Sequence, residues 1–150
     1  MSFEQDIIPI FQQHCNNSTC HGSSTRSRAD LYLGPRSAAP TADERANLVA
    51  DLTTRPSVLG PTETLNVVAG DWTKSFLMLK VDGCQNDVGL ECPGGTDANE
   101  DSVCQPAKNC GDGMPQLDVT DVSEDEAPYP LSADERNTIR RWIQQGAENN

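Results

Sequence analysis

Cys15, Cys20 and His21 stand close together in the run Cys15-Asn16-Asn17-Ser18-Thr19-Cys20-His21. Two thiols followed at once by an imidazole offer three chemistries. The sulfurs can join in a disulfide. They can ligate a metal as thiolates beside the imidazole. Or they can anchor a prosthetic group covalently while the imidazole binds its metal. A structural zinc ion asks for four ligands. The chain has 2 histidines in all, the second being His14, so a zinc set is hard to complete. On a regular helix, positions five apart point about 140° away from each other. Both sulfurs can therefore serve one flat group only if the residues between them loop out. Asn16, Asn17, Ser18 and Thr19 suit that task, because their side chains bond the local backbone and favour turns.

A second constellation lies far along the chain, at Cys110-Gly111-Asp112-Gly113-Met114-Pro115. A thioether is a soft metal ligand. Glycines let a backbone pass close to a bound group, and Pro115 fixes the exit of the chain. The plainer reading of Met114 is a gap-filling side chain, but a Met between Gly and Pro has little to pack against. Met78 is the rival thioether; it sits in the apolar stretch Phe76 to Leu79 and reads as core. His14 adjoins Cys15 and is expected to face solvent.

Helices must position these residues. Ser2 and Gln5 form a capping-box pattern ahead of Phe3, Ile7, Ile10 and Phe11, which predicts a helix over 2–14. Pro9 should kink that helix or mark its true first turn. Residues 15–40 read as loop around the apolar piece Leu31–Leu33. Thr41 and Glu44 cap a second helix running to about Leu52. Asp71 caps a third, through Phe76, Leu77 and Leu79 to about Val81. The closing helix has the clearest signals, with Ser132 and Glu135 as a capping box, Ile139, Trp142 and Ile143 as its buried stripe, and Gly146 as its stop. No strand alternation is sustained. The expected class is all-α, with about four helices joined by long loops in one domain over 1–150.

Composition points to a bound group as well. Leu, Ile, Val and Phe make up 28 of 150 residues, roughly 19%, and the formal net charge is −12. So little apolar matter with so much charge usually marks a disordered chain. Crisp helix caps, 2 Trp and 6 Cys argue for a folded one, so something besides side chains is expected to complete the core. The acidity argues against a nucleic-acid surface, which needs clustered Lys and Arg. No stretch reaches the ~20 apolar residues of a membrane span. Residues 1–14 are too acidic and too short in apolar run for a secretory leader. The even cysteine count suits an oxidising compartment.

Cys15, Cys20 and His21 resemble the haem attachment motif of c-type cytochromes, in a form with four residues between the cysteines rather than the usual two. The Met114 loop is similar to the one that presents the distal ligand in class I cytochromes c. The runs Asp6 to Phe11 and Leu131 to Ala147 resemble the N- and C-terminal helices of the same family. The order of these elements matches over most of residues 3–147, closest to the larger single-haem domains of planctomycete-like and myxobacterial-like chains. The resemblance implies a cytochrome c-like fold and one covalent haem c. Cys15 and Cys20 would hold it by thioethers, with His21 and Met114 on the iron. It also implies a periplasmic or extracellular location, since bacterial haem attachment takes place outside the cytoplasm.

Residues 82–110 form a cysteine-rich insertion, and 82–108 have no counterpart in the smallest members of that family. Cys84, Cys92, Cys104 and Cys110 allow three pairings. A nested set, Cys84–Cys110 around Cys92–Cys104, would tie the insertion at its neck and brace the Met loop. Asp97, Asn99 and Asp101 alternate like the start of a calcium loop. The required Gly and closing Glu are not at matching positions, so a solvated acidic loop is the expectation.

The functional expectation is one-electron transfer, not catalysis, by a free carrier or by a domain of a larger oxidoreductase. The acidic surface should steer a redox partner with a basic docking face. Two readings from other classes stay open. One is a haem peroxidase or small-ligand sensor, which needs an open axial position. The other is a haem-free, disulfide-rich interaction module.

Overall fold

The computed structural model describes residues 1–25, 27–58, 60, 63–84, 113–115 and 131–150. Among them the regular structure is helical. The nearest approach to a sheet is an isolated antiparallel bridge between Pro56 and Leu65. No helix among the described residues is long and apolar enough to cross a membrane.

The chain enters a helical run, here α1, made of π-type turns over Phe3–Ile7 and Phe11–Cys15 on either side of α-helical Ile8–Ile10. Pro9 accounts for the wide turns. Its ring crowds the carbonyl four residues back and it offers no N–H, so an ordinary turn cannot close through it. The Ile8 N–H instead reaches back to the carbonyl of Phe3, and the helix continues past Pro9. Proline thus neither begins nor breaks the helix but widens it. The Ser2 cap is present, its side chain accepting from the Gln5 N–H. The return bond comes from Asp6, whose carboxylate accepts from the Ser2 N–H at 2.7 Å, and not from Gln5 as the capping-box pattern implied.

Helix α2, Ala42–Thr54, opens with the full reciprocal box of Thr41 and Glu44 and buries Leu48 and Leu52. The predicted third helix arrives in two pieces. Asp71 caps only a 3-10 turn, Trp72–Lys74, and α3 runs over Phe76–Val81. Ser75 makes the break. Its backbone is extended, and its hydroxyl donates to the Asp71 carbonyl while accepting from the Val68 N–H, so it offers the chain a partner other than the helix ladder. Helix α4, Ala133–Gln144, has the expected Ser132–Glu135 box, and Gly146 ends it at φ +106, a conformation that suits glycine.

The core joins the two ends of the chain. Phe3 stacks on Trp142 with ring centroids 5.1 Å apart, and Phe11 meets Phe3 edge-on at 6.3 Å. Ile7, Leu52, Val67, Met78, Ile139 and Ile143 fill the space around them. Met78 is therefore core, as its apolar setting predicted. Asn150 closes the start of α1, its side-chain oxygen accepting from the Phe3 N–H at 2.9 Å. At the other end of the core, Asp82 sits just past α3 and takes Arg136 at 3.6 Å and Arg140, both from α4. That pairing fixes the end of α3 against α4.

Candidate functional site

The last turn of α1 delivers Cys15. The chain then leaves the helix in a tight loop, with the Cys20 N–H donating to the Asn17 carbonyl at 2.9 Å and the Gly22 N–H to the same oxygen at 3.0 Å. The residues between the cysteines thus form turns, as the 140° offset required. The loop closes so tightly that a Cβ on Gly22 would lie 2.2 Å from the Asn16 carbonyl oxygen, which explains the glycine directly after His21. Among the described cysteines, Cys15 and Cys20 are free thiols and are not bonded to each other. Burial pushes the Cys15 thiol up to about 12, and the nearby charges of Cys20 and Glu135 add to the effect. It is a protonated thiol near neutral pH.

His21 is buried, with 8% of its surface exposed. Its Nδ1 lies 2.7 Å from the carbonyl oxygen of Leu31. A carbonyl can only accept, so Nδ1 carries a proton, and in the neutral ring that leaves the lone pair on Nε2, the tautomer a metal-binding imidazole needs. The segment that orients the ring is itself tied down. The Leu33 N–H donates to the His21 carbonyl at 2.9 Å, and Asn16 Nδ2 donates to the Leu33 carbonyl at 2.9 Å. Asn16 is 1% exposed, and its Oδ1 is buried with no hydrogen-bond partner.

Cys15, His21 and Met114 line one cleft. Its other walls are Ala29, Leu31 and Leu33 from the loop after His21, Ser57 and Asn66 from the stretch between α2 and α3, and Phe76, Leu77, Lys80 and Val81 of α3. The space not filled by protein, counted with its open mouth and the solvent there, is about 580 Å³. Met114 reaches the cleft because its N–H donates to the Lys80 carbonyl at 2.8 Å, which docks the Met loop on the end of α3. The Met114–Pro115 peptide is cis. Cys20 is half-buried and is not among the cleft-lining residues; its sulfur lies 3.9 Å from the Thr19 hydroxyl.

His14 departs from expectation. It does not face solvent but is half-buried, with Nε2 2.9 Å from a Glu135 carboxylate oxygen. The approach is possible because the widened helix ends beside the start of α4. Two further residues of the site escaped the motif reading. The Leu31 carbonyl acts through its backbone and leaves no mark in residue type. Lys80 is 5% exposed and lines the cleft. The faint signal for it was a lysine inside the otherwise apolar run Phe76 to Val81.

Among the described residues, no group of three or more His, Cys, Asp and Glu is arranged to hold a metal ion. Cys84 is disulfide-bonded. The nested pairing and the alternating acidic run lie outside the described residues, since Cys92, Cys104, Cys110, Asp97, Asn99 and Asp101 do. No family model, curated protein or solved structure matches the chain.

Proposed function

We propose that the chain is a c-type cytochrome domain, with a cytochrome c-like fold and one covalent haem c in the cleft, acting in one-electron transfer. The observation that carries this reading is the shared cleft. A buried imidazole with its proton committed to Leu31, a thioether from a distant loop and a free thiol all line it. The donors suit iron in a tetrapyrrole, since an imidazole nitrogen and a thioether sulfur are the pair that cytochromes c use, and the walls are mostly apolar.

When bound, the haem supplies a one-electron ferric–ferrous couple. The chain's own residues do the rest. The free thiols of Cys15 and Cys20 would hold the haem through thioether bonds. His21 presents Nε2 and is held in orientation by the Leu31 carbonyl. Met114, which lines the same cleft, would be the second protein ligand to the iron, and that role favours a carrier over a peroxidase or sensor. Leu31, Leu33, Phe76, Leu77 and Val81 exclude water. The insertion, with its disulfides, would brace the Met loop. The net charge of −12 would steer a redox partner with a basic face. Such chemistry belongs to a periplasmic or extracellular setting.

A pyridine haemochrome spectrum combined with the intact mass tests the reading. After expression with a haem attachment system, the mass should equal the chain plus one haem, and the spectrum should report two thioethers. A folded, colourless protein with Cys15 bonded to Cys20 would overturn it.

A further inference from the structure

The cleft has apolar walls at Leu31, Leu33, Phe76, Leu77 and Val81, yet a lysine stands among them. Lys80 is 5% exposed, and its Nζ lies 5.5 Å from the centre of the Phe76 ring. A lysine is buried to this degree only where its ammonium is partnered, because taking an ammonium out of water is costly. Fully apolar helices are the ones buried all round, and α3 fits that pattern except at this position. Among the described residues lining the cleft, Lys80 alone carries a positive charge.

We propose that Lys80 sets the reduction potential of the centre in this cleft, its ammonium favouring the ferrous form. The inference rests on the haem reading above. Reduction adds one electron to the bound centre, and a cation in the wall stabilises the extra negative charge. At an effective dielectric of ~20, a unit charge on the order of 10 Å away changes such an equilibrium about tenfold. The surface carries the opposite sign in excess, but exposed charges beyond about 8–10 Å are screened by salt, and a buried one is screened much less.

The backbone of Lys80 has a separate duty, since its carbonyl holds the Met114 N–H at 2.8 Å. A side-chain substitution leaves that bond available, so charge and loop anchoring can be tested apart. The experiment is a potentiometric titration with mediator dyes on the haem-loaded full chain, comparing wild type with Lys80→Met, Lys80→Gln and Lys80→Arg. The red Met-to-iron charge-transfer band is recorded for each. The expected result is a fall of about tenfold in the one-electron equilibrium constant for the two neutral variants, or about 59 mV. Lys80→Arg should stay within about threefold of wild type, and the band should persist throughout. The two neutral variants guard against one failing to fold. An unchanged potential in the neutral variants would overturn the proposal, as would a fall accompanied by loss of the band, which would make Lys80 a support for the Met loop. A wild-type chain that takes up no haem would instead remove the reading on which the proposal stands.

Discussion

His14 and Glu135 meet at 2.9 Å, joining the residue before the first thiol to the first turn of α4. Glu135 serves two partners at once. One carboxylate oxygen accepts from the Ser132 N–H and hydroxyl, closing the α4 cap, and the other faces His14. Burial alone would raise its pKa, yet the bonds from Ser132 and His14 outweigh it and hold the carboxyl below its ordinary 4.5. A carboxylate lowered in the folded state contributes stability that is whole above the unfolded value. That contribution fades as pH falls through the folded one. Glu135→Ala should therefore cost about 0.5–1.5 kcal/mol at neutral pH, through the bonds from Ser132 and His14 to the carboxylate, while Ser132 still caps the backbone N–H of residue 135. Urea unfolding should show the gap to wild type narrowing as pH falls below the ordinary 4.5. A gap that is the same at neutral and acid pH would count against the ionised pairing.

Gly22 is fixed by contact and not by backbone angle. The Asn16 carbonyl oxygen lies 2.2 Å from where a Cβ would stand, and backbone cannot swing aside as a flexible side chain can. Gly22→Ala should destabilise the chain by about 1–3 kcal/mol through strain in the loop. It should also lower the yield of covalently attached haem, read as the loaded fraction in intact mass. Full loading at wild-type stability would show that the loop has room.

The Leu31–Leu33 segment orients His21 and is itself held by Asn16 Nδ2 on the Leu33 carbonyl. Asn16→Ala removes that donor and leaves a buried carbonyl unsatisfied, at about 1–3 kcal/mol. Chemical denaturation gives the size of the effect. In the haem-loaded protein the same change should broaden the His-ligand resonances in NMR, as the ring loses its fixed setting.

Met114→Ala should abolish the Met-to-iron charge-transfer band and lower the potential, because a His/Met pair raises it. The reduced variant should then bind carbon monoxide quickly, while wild type does so slowly. A band that survives the substitution would take Met114 off the iron.

Trp142 anchors the contact between the chain ends, stacked on Phe3 at 5.1 Å and 1% exposed. Its Nε1 also donates to the Glu148 carbonyl at 3.0 Å. Trp142→Ala should cost about 3–5 kcal/mol, measured as a shift of the urea midpoint. Trp142→Phe should recover part of that loss but not the indole hydrogen bond.

Local signals carried the helix ends well. Thr41 with Glu44 and Ser132 with Glu135 form reciprocal caps in the structure, because a capping box is complete within four residues and needs nothing from the rest of the chain. The same reasoning gave the stripe of Ile139, Trp142 and Ile143 and the stop at Gly146. It missed the break at Ser75, where a hydroxyl is drawn to the Val68 N–H as well as the nearby Asp71 carbonyl. It also missed the fate of Pro9, since the choice between a kink and a wider turn depends on how α1 packs.

The sequence determined which side chains could bind and anchor a metal-bearing group: the thiols of Cys15 and Cys20, the imidazole of His21 and the thioether of Met114. Residue type and short spacing decide such capacity. Only the tertiary structure decided that Cys15, His21 and Met114 share a cleft, that the Leu31 carbonyl sets the tautomer of His21, and that Lys80 stands in the wall. Those relations run through backbone atoms and between segments up to ninety-nine positions apart, from Cys15 to Met114. No local pattern encodes them, because they exist only once packing has brought the segments together.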